Sequence, residues 1–233
     1  MSGERDAILR RIRTALGRPT PAGDTAAPLE QRLADHRANT IPQRGQLDPD
    51  DQVALFMAMA RAVSATVEEV ESLDDVPAAI AGYLAGENLP SRLTVAPDPL
   101  LDAVKWETRP LLTVQRGKAD GTTETGVTSA FAAVAETGSL MTLSGPDHPT
   151  TLNFLPDHHV VVLPRDRVVG SYEDGWRKLR GESSGGRFMP RSVSFITGPS
   201  RTGDIEQKIQ LGAHGPRKLH VVVVRDAGPD HSV

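Results

Sequence analysis

Cysteine is absent from all 233 residues of the chain. Without thiol groups the protein cannot form disulfides, use a thiolate nucleophile, or bind an iron–sulfur cluster or a zinc ion through cysteine. If it takes part in a redox reaction, another molecule must therefore carry the electrons. The glycine-rich dinucleotide fingerprint and the lysine-containing Walker loop are missing as well. We expect the chain itself to hold no cofactor.

Long apolar runs and a strong positive charge are also lacking. No stretch approaches the roughly 20 apolar residues needed to cross a bilayer, and the N-terminus has no apolar signal segment. The formal net charge of -4 gives no broad positive field for nucleic acid. The arginines between positions 5 and 18 are interleaved with Glu4 and Asp6, which is typical of a solvated helix face. We expect a cytoplasmic protein with no nucleic-acid partner and no membrane span.

The chain changes character near residue 48. Ile8, Ile12 and Leu16 recur at four-residue spacing and predict an amphipathic helix, whereas residues 17–47 are rich in proline and glycine. A short helix is expected near Leu29–Leu33. The domains predicted are an N-terminal helix with a flexible tether (1–47), an α/β domain (48–225) and a disordered tail (226–233).

Helix and strand patterns alternate in the α/β domain. Asp48-Pro49 and the acids that follow predict a helix start. Strands are predicted at 66–70, 92–95, 111–114, 140–143, 159–163, 192–197 and 219–224, and helices at 77–84, 128–135, 172–179 and 204–211. The continuous apolar runs at 160–163 and 221–224 favour strands covered on both faces. We therefore predict a mostly parallel, Rossmann-like sheet with helices on both faces.

The segment from residue 192 to 206 predicts a strand, a tight loop and a helix. In a parallel sheet this loop would lie at the carboxyl edge, where a helix N-terminus can bind an anion. Gly198 permits close backbone approach, and Arg201 can hold a carboxylate through two parallel hydrogen bonds. Ser200 and Thr202 can donate hydroxyls. The sequence therefore predicts an anion site on this loop.

The same residues fit a structural role equally well. Thr202 could cap the predicted helix while Asp204 and Glu206 complement its dipole. Arg201 would then pair with one of these acids. The residues alone leave both possibilities open.

A second candidate is Glu136, in a run that is mainly apolar and repeats Glu-Thr-Gly twelve residues after Glu124. Burial there would disfavour a charged carboxylate and suit Glu136 to proton transfer or nucleophilic attack. The alternative is that Glu136 ends a helix, bonds to backbone N–H groups and is followed by Gly138 as the terminating residue. We expect Glu136 to lie near the site in either case.

The histidines were considered as metal ligands. Asp147-His148 and Asp157-His158-His159 match no spacing with a known mechanical basis, so we expect no metal site. His214 lies directly after the predicted helix 204–211. It either bonds the last helical carbonyls or faces a substrate.

Four groups of residues together resemble a known family. They are Ala135-Glu136-Thr137-Gly138-Ser139, Leu155-Pro156 with His159, Thr197-Gly198-Pro199-Ser200-Arg201-Thr202 with Asp204-Ile205-Glu206, and Gly212 with His214-Gly215-Pro216. Their order and spacing resemble the LUD domain of the lactate-utilization protein C family (LutC/YkgG), over about residues 50–225.

The resemblance implies a NagB/RpiA/CoA-transferase-like fold and a role beside iron–sulfur partner proteins in oxidising L-lactate to pyruvate. It implies as candidate site residues Glu136, Thr137, His159, Ser200, Arg201, Asp204 and His214. The first hypothesis is a non-redox component of lactate oxidation that binds a small carboxylate at the Gly198–Thr202 loop. The second is a stand-alone isomerase or CoA-transferase-like enzyme that uses Glu136. The third is a structural scaffold for the partner subunits.

Overall fold

The computed structural model describes residues 2–17, 23–183, 189–205, 208–212 and 214–228. Its tertiary contacts separate two units, Met1–Thr40 and Ile41–Val233. The first unit contains helices α1 (Ser2–Leu16) and α2 (Gly23–Asp35). The apolar stripe predicted on α1 is exposed. The short helix expected near Leu29–Leu33 is thus much longer, with Pro28 in its interior.

The second unit alternates helices and strands. Its helices are α3 (Pro49–Ala62), α4 (Val76–Gly86), α5 (Pro99–Asp102), α6 (Thr151–Phe154) and α7 (Tyr172–Ser183). Its strands are β1 (Thr66–Ser72), β2 (Arg92–Val95), β3 (Thr113–Arg116), β4 (Thr125–Ser129), β5 (Ala132–Val134), β6 (Ser139–Leu143), β7 (His158–Pro164), β8 (Val168–Val169), β9 (Val193–Ile196), β10 (Arg201–Ile205), β11 (Lys208–Leu211) and β12 (Lys218–Asp226).

A six-stranded parallel sheet forms the centre of this unit. Its strand order is β1-β12-β7-β4-β2-β3, and every neighbouring pair is parallel. The apolar runs at 160–163 and 221–224 lie in the two adjacent strands β7 and β12 and are fully buried. The predicted α/β class with a mostly parallel sheet is confirmed.

The two faces of the sheet are covered by different elements. On one face, Val160, Val162 and Val222 pack in a core that includes Ile80 of α4. On the other face, Val161 and its neighbours pack in a core that includes residues of α3. Because successive side chains of a strand point to opposite faces, one apolar run supplies both cores. Each fully buried valine contributes roughly 1.5–3 kcal/mol relative to an exposed one.

The helix predicted over 128–135 is wrong. Strand β4 ends at Ser129, and β5 pairs antiparallel with β6 in a second sheet of order β8-β5-β6-β9. The small residues of this segment favoured a helix by propensity, but complete burial between neighbouring layers stabilises a hairpin instead. Gly138 closes the turn with φ +68, and a Cβ there would lie 2.4 Å from the backbone nitrogen of Ala60.

The helix predicted over 204–211 is also wrong, because β10 and β11 form an antiparallel pair. Ile205 and Ile209 are four positions apart, a spacing that fits a helix as well as a strand, so the local pattern does not distinguish the two. Strand β9, which precedes this hairpin, belongs to the smaller sheet rather than the parallel one. The loop after β9 therefore does not lie at the carboxyl edge of the parallel sheet.

Candidate functional site

A half-open cavity of about 250 Å³ lies beside the loop that follows β9. Its walls come from three segments: the loop 195–200, the loop 214–216 that precedes β12, and the end of α6 at Asn153 and Phe154. His159 of β7 and Leu219 of β12 complete the lining. The cavity thus brings together four of the predicted site residues, namely His159, Gly198, Ser200 and His214.

The cavity lies at the amino edge of the parallel sheet. His159 is the second residue of β7 and Leu219 is the second residue of β12. The predicted position at the carboxyl edge is therefore wrong, as is the premise that a helix N-terminus follows the loop. The cavity forms where the end of the antiparallel sheet meets the beginning of two parallel strands.

Backbone hydrogen bonds join the two loops of the cavity. The amide of Ser200 donates to the carbonyl of Pro216 at 2.8 Å, and the amide of Gly212 donates to the carbonyl of Ser200 at 2.9 Å. Gly198 has φ +71, and a Cβ there would lie 2.3 Å from the carbonyl oxygen of Val63. Only glycine tolerates this approach, so the loop is held against the end of α3.

Arg201 contacts α3 rather than the cavity. Its guanidinium donates to the carbonyl oxygen of Val63, the residue that caps α3, and to Ser64 Oγ at 2.9 Å. A cation at this position complements the negative end of the helix dipole and satisfies a terminal carbonyl. The geometry favours a structural role for Arg201, and its contact with an anion stays a prediction.

The remaining residues of this loop lie in β10. The backbone of Thr202 pairs with Gln210 across the hairpin. Thr202 is outside the cavity lining that the described residues form. Asp204 is also a β10 residue, but its side chain and the whole of Glu206 lie outside the described part of the chain.

Glu136 is buried in the hairpin turn between β5 and β6, not at the end of a helix. Its Oε1 accepts a hydrogen bond from the amide of Tyr172, the first residue of α7, at 3.1 Å. Its own amide donates to the carbonyl of Gly170 at 3.1 Å. A carboxylate at a helix N-terminus stabilises the helix, which gives Glu136 a structural function. Its catalytic role stays a prediction.

Thr137 reaches the cavity through a cluster of hydroxyl groups. Its Oγ1 lies 2.8 Å from Ser139 Oγ and donates to the Tyr172 hydroxyl at 3.1 Å. Ser139 Oγ lies 2.6 Å from Thr197 Oγ1, and Thr197 lines the cavity. The sequence analysis missed Ser139, Tyr172 and Thr197 as one group, because their separation in sequence gives no signal of contact.

His159 is the only fully buried histidine among the described residues that line the cavity. Its Nε2 lies 2.8 Å from Thr128 Oγ1, and its Nδ1 has no hydrogen-bond partner within the described part of the chain. Burial lowers the pKa of His159 to about 4, so the ring is neutral near pH 7. A buried polar atom without a partner costs roughly 1–3 kcal/mol, which a bound ligand would offset.

His214 also lines the cavity and is exposed. Because strand β11 precedes it instead of a helix, the alternative that His214 bonds helical carbonyls is wrong. Its ring is available to a molecule that enters the cavity.

The described residues also decide two other classes of site. Among the residues with assigned positions, no cluster of three or more histidine, aspartate or glutamate side chains is arranged to bind a metal ion. In the same part of the chain, every helix is too short or too polar to cross a bilayer.

Comparison with known proteins gives a consistent family signal. The sequence profile of the LUD domain matches residues 53–224. The chain is 32% identical over 101 residues to lactate utilization protein C of Halalkalibacterium halodurans, covering 43% of this chain and 44% of that protein. It is 31% identical over 113 residues to the protein of the same name from Geobacillus thermodenitrificans, covering 48% and 47%. The matched region thus spans less than half the length of these relatives.

One solved structure has a similar fold. A DUF162 family protein from Deinococcus radiodurans superposes with a TM-score of 0.57 at 21% sequence identity, covering 76% of this chain and 99% of that chain. This similarity confirms the α/β fold and carries no further argument about the site.

Proposed function

Because the chain belongs to the LUD domain family, we propose that it is a non-redox component of lactate utilization that holds a small carboxylate in the cavity beside His159. Relatives that carry the name lactate utilization protein C support the metabolic role. The single observation that supports the site is that His159 lines the cavity while its buried Nδ1 makes no hydrogen bond within the described residues.

The chemistry of His159 suits a carboxylate or a hydroxyl oxygen. If the Thr128 hydroxyl donates to Nε2, the neutral ring carries its hydrogen on Nδ1 and donates it to the ligand. A hydrogen bond to a charged oxygen contributes roughly 1.5–3 kcal/mol, about twice that of a neutral pair. His159 takes the role that the sequence analysis gave to Arg201.

The size and lining of the cavity favour a small organic acid. Its volume of about 250 Å³ is below the roughly 300–1,000 Å³ of pockets that bind drug-sized ligands. Phe195, Ile196 and Leu219 offer apolar contacts for a methyl group. Ser200 and His214 offer polar contacts. L-lactate and pyruvate combine a methyl group, a carboxylate and one further oxygen, and they match this mixed lining.

The oxidation itself requires a partner. A chain without cysteine cannot ligate an iron–sulfur cluster, so iron–sulfur proteins of the lactate-utilization system would accept the electrons. Phe154, 44% exposed, lines the cavity, and with its chain neighbour Leu155, 56% exposed, it forms an apolar rim. We assign this rim as the partner contact, because an electron acceptor must approach the bound acid.

Calorimetric titration with L-lactate and with pyruvate tests the binding site. Wild-type protein should give saturable heat, and His159→Gln should weaken binding by roughly 1.5–3 kcal/mol, about ten- to hundredfold. His220→Gln is the matched control, because His220 is also buried and also has one ring nitrogen that makes no hydrogen bond within the described residues, but it lies outside the cavity lining. Equal losses in both variants, or no heat with wild type, would contradict the proposal.

The partner contact has its own test. Phe154→Asp should reduce co-purification with the iron–sulfur proteins, whereas Leu111→Asp should not, since Leu111 is more exposed and outside the cavity lining. If both variants keep the partners, the rim is not the contact.

A scaffold role is the second candidate, favoured by the exposed stripe of Ile8, Ile12 and Leu16 on α1. We propose that residues 1–47 recruit partners and that residues 48–225 form the ligand-binding domain. Deleting residues 1–40 should then abolish partner binding and leave lactate binding intact. A deletion through residue 47 should also destabilise the protein, because Gly45 packs against the backbone of Gly170.

A further inference from the structure

A cluster of three polar side chains lies at the opposite edge of the parallel sheet from the cavity. Asp98 follows β2, Ser129 is the last residue of β4, and His148 lies in the loop between β6 and α6. Ser129 Oγ donates to Asp98 Oδ2, and His148 Nδ1 lies 3.6 Å from the same oxygen. Three segments distant in sequence therefore converge on one carboxylate.

The order of the strands makes this position a candidate ligand site. From β2 the chain continues to β3 on one side, and from β4 it passes through β5 and β6 of the smaller sheet before it reaches β7 on the other side. The connections thus leave the adjacent strands β2 and β4 in opposite directions. In open parallel α/β sheets, ligands bind at the carboxyl ends of strands where the connections diverge in this way.

Asp98 is held rigidly beneath the surface. It is 1% exposed, and its Oδ1 accepts the amide hydrogen of Leu100 at 2.9 Å. Ser129 is 4% exposed, so its hydroxyl bond to Asp98 is sheltered from water. His148 is the outermost member of the cluster, with a side chain 15% exposed.

The arrangement orients the imidazole. A carboxylate beside Nδ1 favours the tautomer with its hydrogen on that nitrogen, which leaves Nε2 with a free lone pair. Hydrogen-bond geometry of this kind is often long in the absence of substrate and tightens when a ligand binds. We propose that Asp98 and His148 form a proton-transfer dyad that acts on a hydroxyl group of a small neutral ligand, with Ser129 as a positioning residue.

The local charges favour a neutral ligand over an anion. Arg116, at the end of β3, is committed to Asp102 at 2.9 Å and to the carbonyl oxygen of Ala96 at 3.0 Å. Arg116 is thus not available to Asp98, whose carboxylate beside His148 would repel an anion. The preference for a neutral ligand distinguishes the dyad from the cavity at the other edge of the sheet, which we propose binds a carboxylate.

Acylation by diethyl pyrocarbonate, mapped by mass spectrometry at neutral pH, tests the dyad. His148 should react at Nε2 faster than His36, which is exposed and serves as an internal reference. Asp98→Asn should slow His148 by at least about tenfold, because the amide no longer fixes the tautomer. The rate at His36 should stay constant.

A second variant keeps the test informative if Asp98→Asn does not fold. Ser129→Ala retains the carboxylate but removes the hydroxyl that positions it, so His148 should react more slowly than in wild type and faster than in Asp98→Asn. A wild-type His148 that reacts no faster than His36, or at the same rate in folded Asp98→Asn, would overturn the dyad. Excess glycerol, a small neutral polyol, should protect His148 from acylation. If His148 reacts equally fast with and without glycerol, the proposal that the dyad binds a hydroxyl ligand is overturned.

Discussion

His159 and His220 lie on opposite faces of the same sheet in nearly identical surroundings. Each is buried, each places one ring nitrogen 2.8 Å from a threonine hydroxyl, and each has a second nitrogen without a hydrogen-bond partner in the described part of the chain. Burial lowers the pKa of both to about 4. The difference lies in what adjoins them: His220 stacks on Tyr83 at 4.3 Å, whereas His159 lines a cavity. Burial alone therefore does not mark a site, whereas a position in the lining of a cavity does.

The largest expected effect is one that the two histidines share. Both are neutral when folded and bind protons below about pH 6.5 when unfolded, so the free energy of unfolding is highest above that pH. It should fall between about pH 6.5 and about pH 4, by about 3 kcal/mol for each histidine. His159→Gln and His220→Gln should each flatten this dependence by a similar amount, measured by urea unfolding at several pH values. If only one variant flattens it, the two environments are not equivalent.

The next effect concerns the wall of the cavity. Gly198→Ala introduces a Cβ 2.3 Å from the Val63 carbonyl at φ +71, so the loop must move. We expect a loss of about 2–3 kcal/mol of stability and weaker lactate binding. Gly228→Ala is the matched control, since its φ is +78 but no atom lies within 4 Å of the added Cβ. Equal melting temperatures for the two variants would show that the contact with Val63 does not matter.

The smallest effect separates Arg201 from the ligand. Arg201→Ala removes the capping contacts with Val63 and Ser64 and should cost about 1 kcal/mol of stability. The affinity for L-lactate should change less than in His159→Gln. An affinity loss as large as that of His159→Gln, with unchanged thermal stability, would restore the anion-binding role predicted from the sequence.

The sequence was sufficient for the central sheet and insufficient for the elements around the cavity. The runs at 160–163 and 221–224 identify buried strands, because a strand that is covered on both faces buries every one of four consecutive apolar side chains. The segments 128–135 and 204–211 become hairpins because of neighbouring layers, which local propensity does not encode.

The site shows the same limit. Sequence reasoning identified His159, Gly198, Ser200 and His214, which the structure brings together around one cavity. It predicted an anion contact for Arg201 because a guanidinium suits an anion, but the partner of Arg201 is a helix end 138 positions earlier in the chain. Charge and residue type predict which interactions are possible, and tertiary structure decides which partner is present.

The most direct test of the account is nuclear magnetic resonance of the histidine ring nitrogens during titration with L-lactate. The account predicts that the Nδ1 resonance of His159 shifts and saturates, whereas the ring resonances of His220 stay unchanged. An unchanged His159 signal at saturating L-lactate, or equal shifts at both histidines, would contradict it.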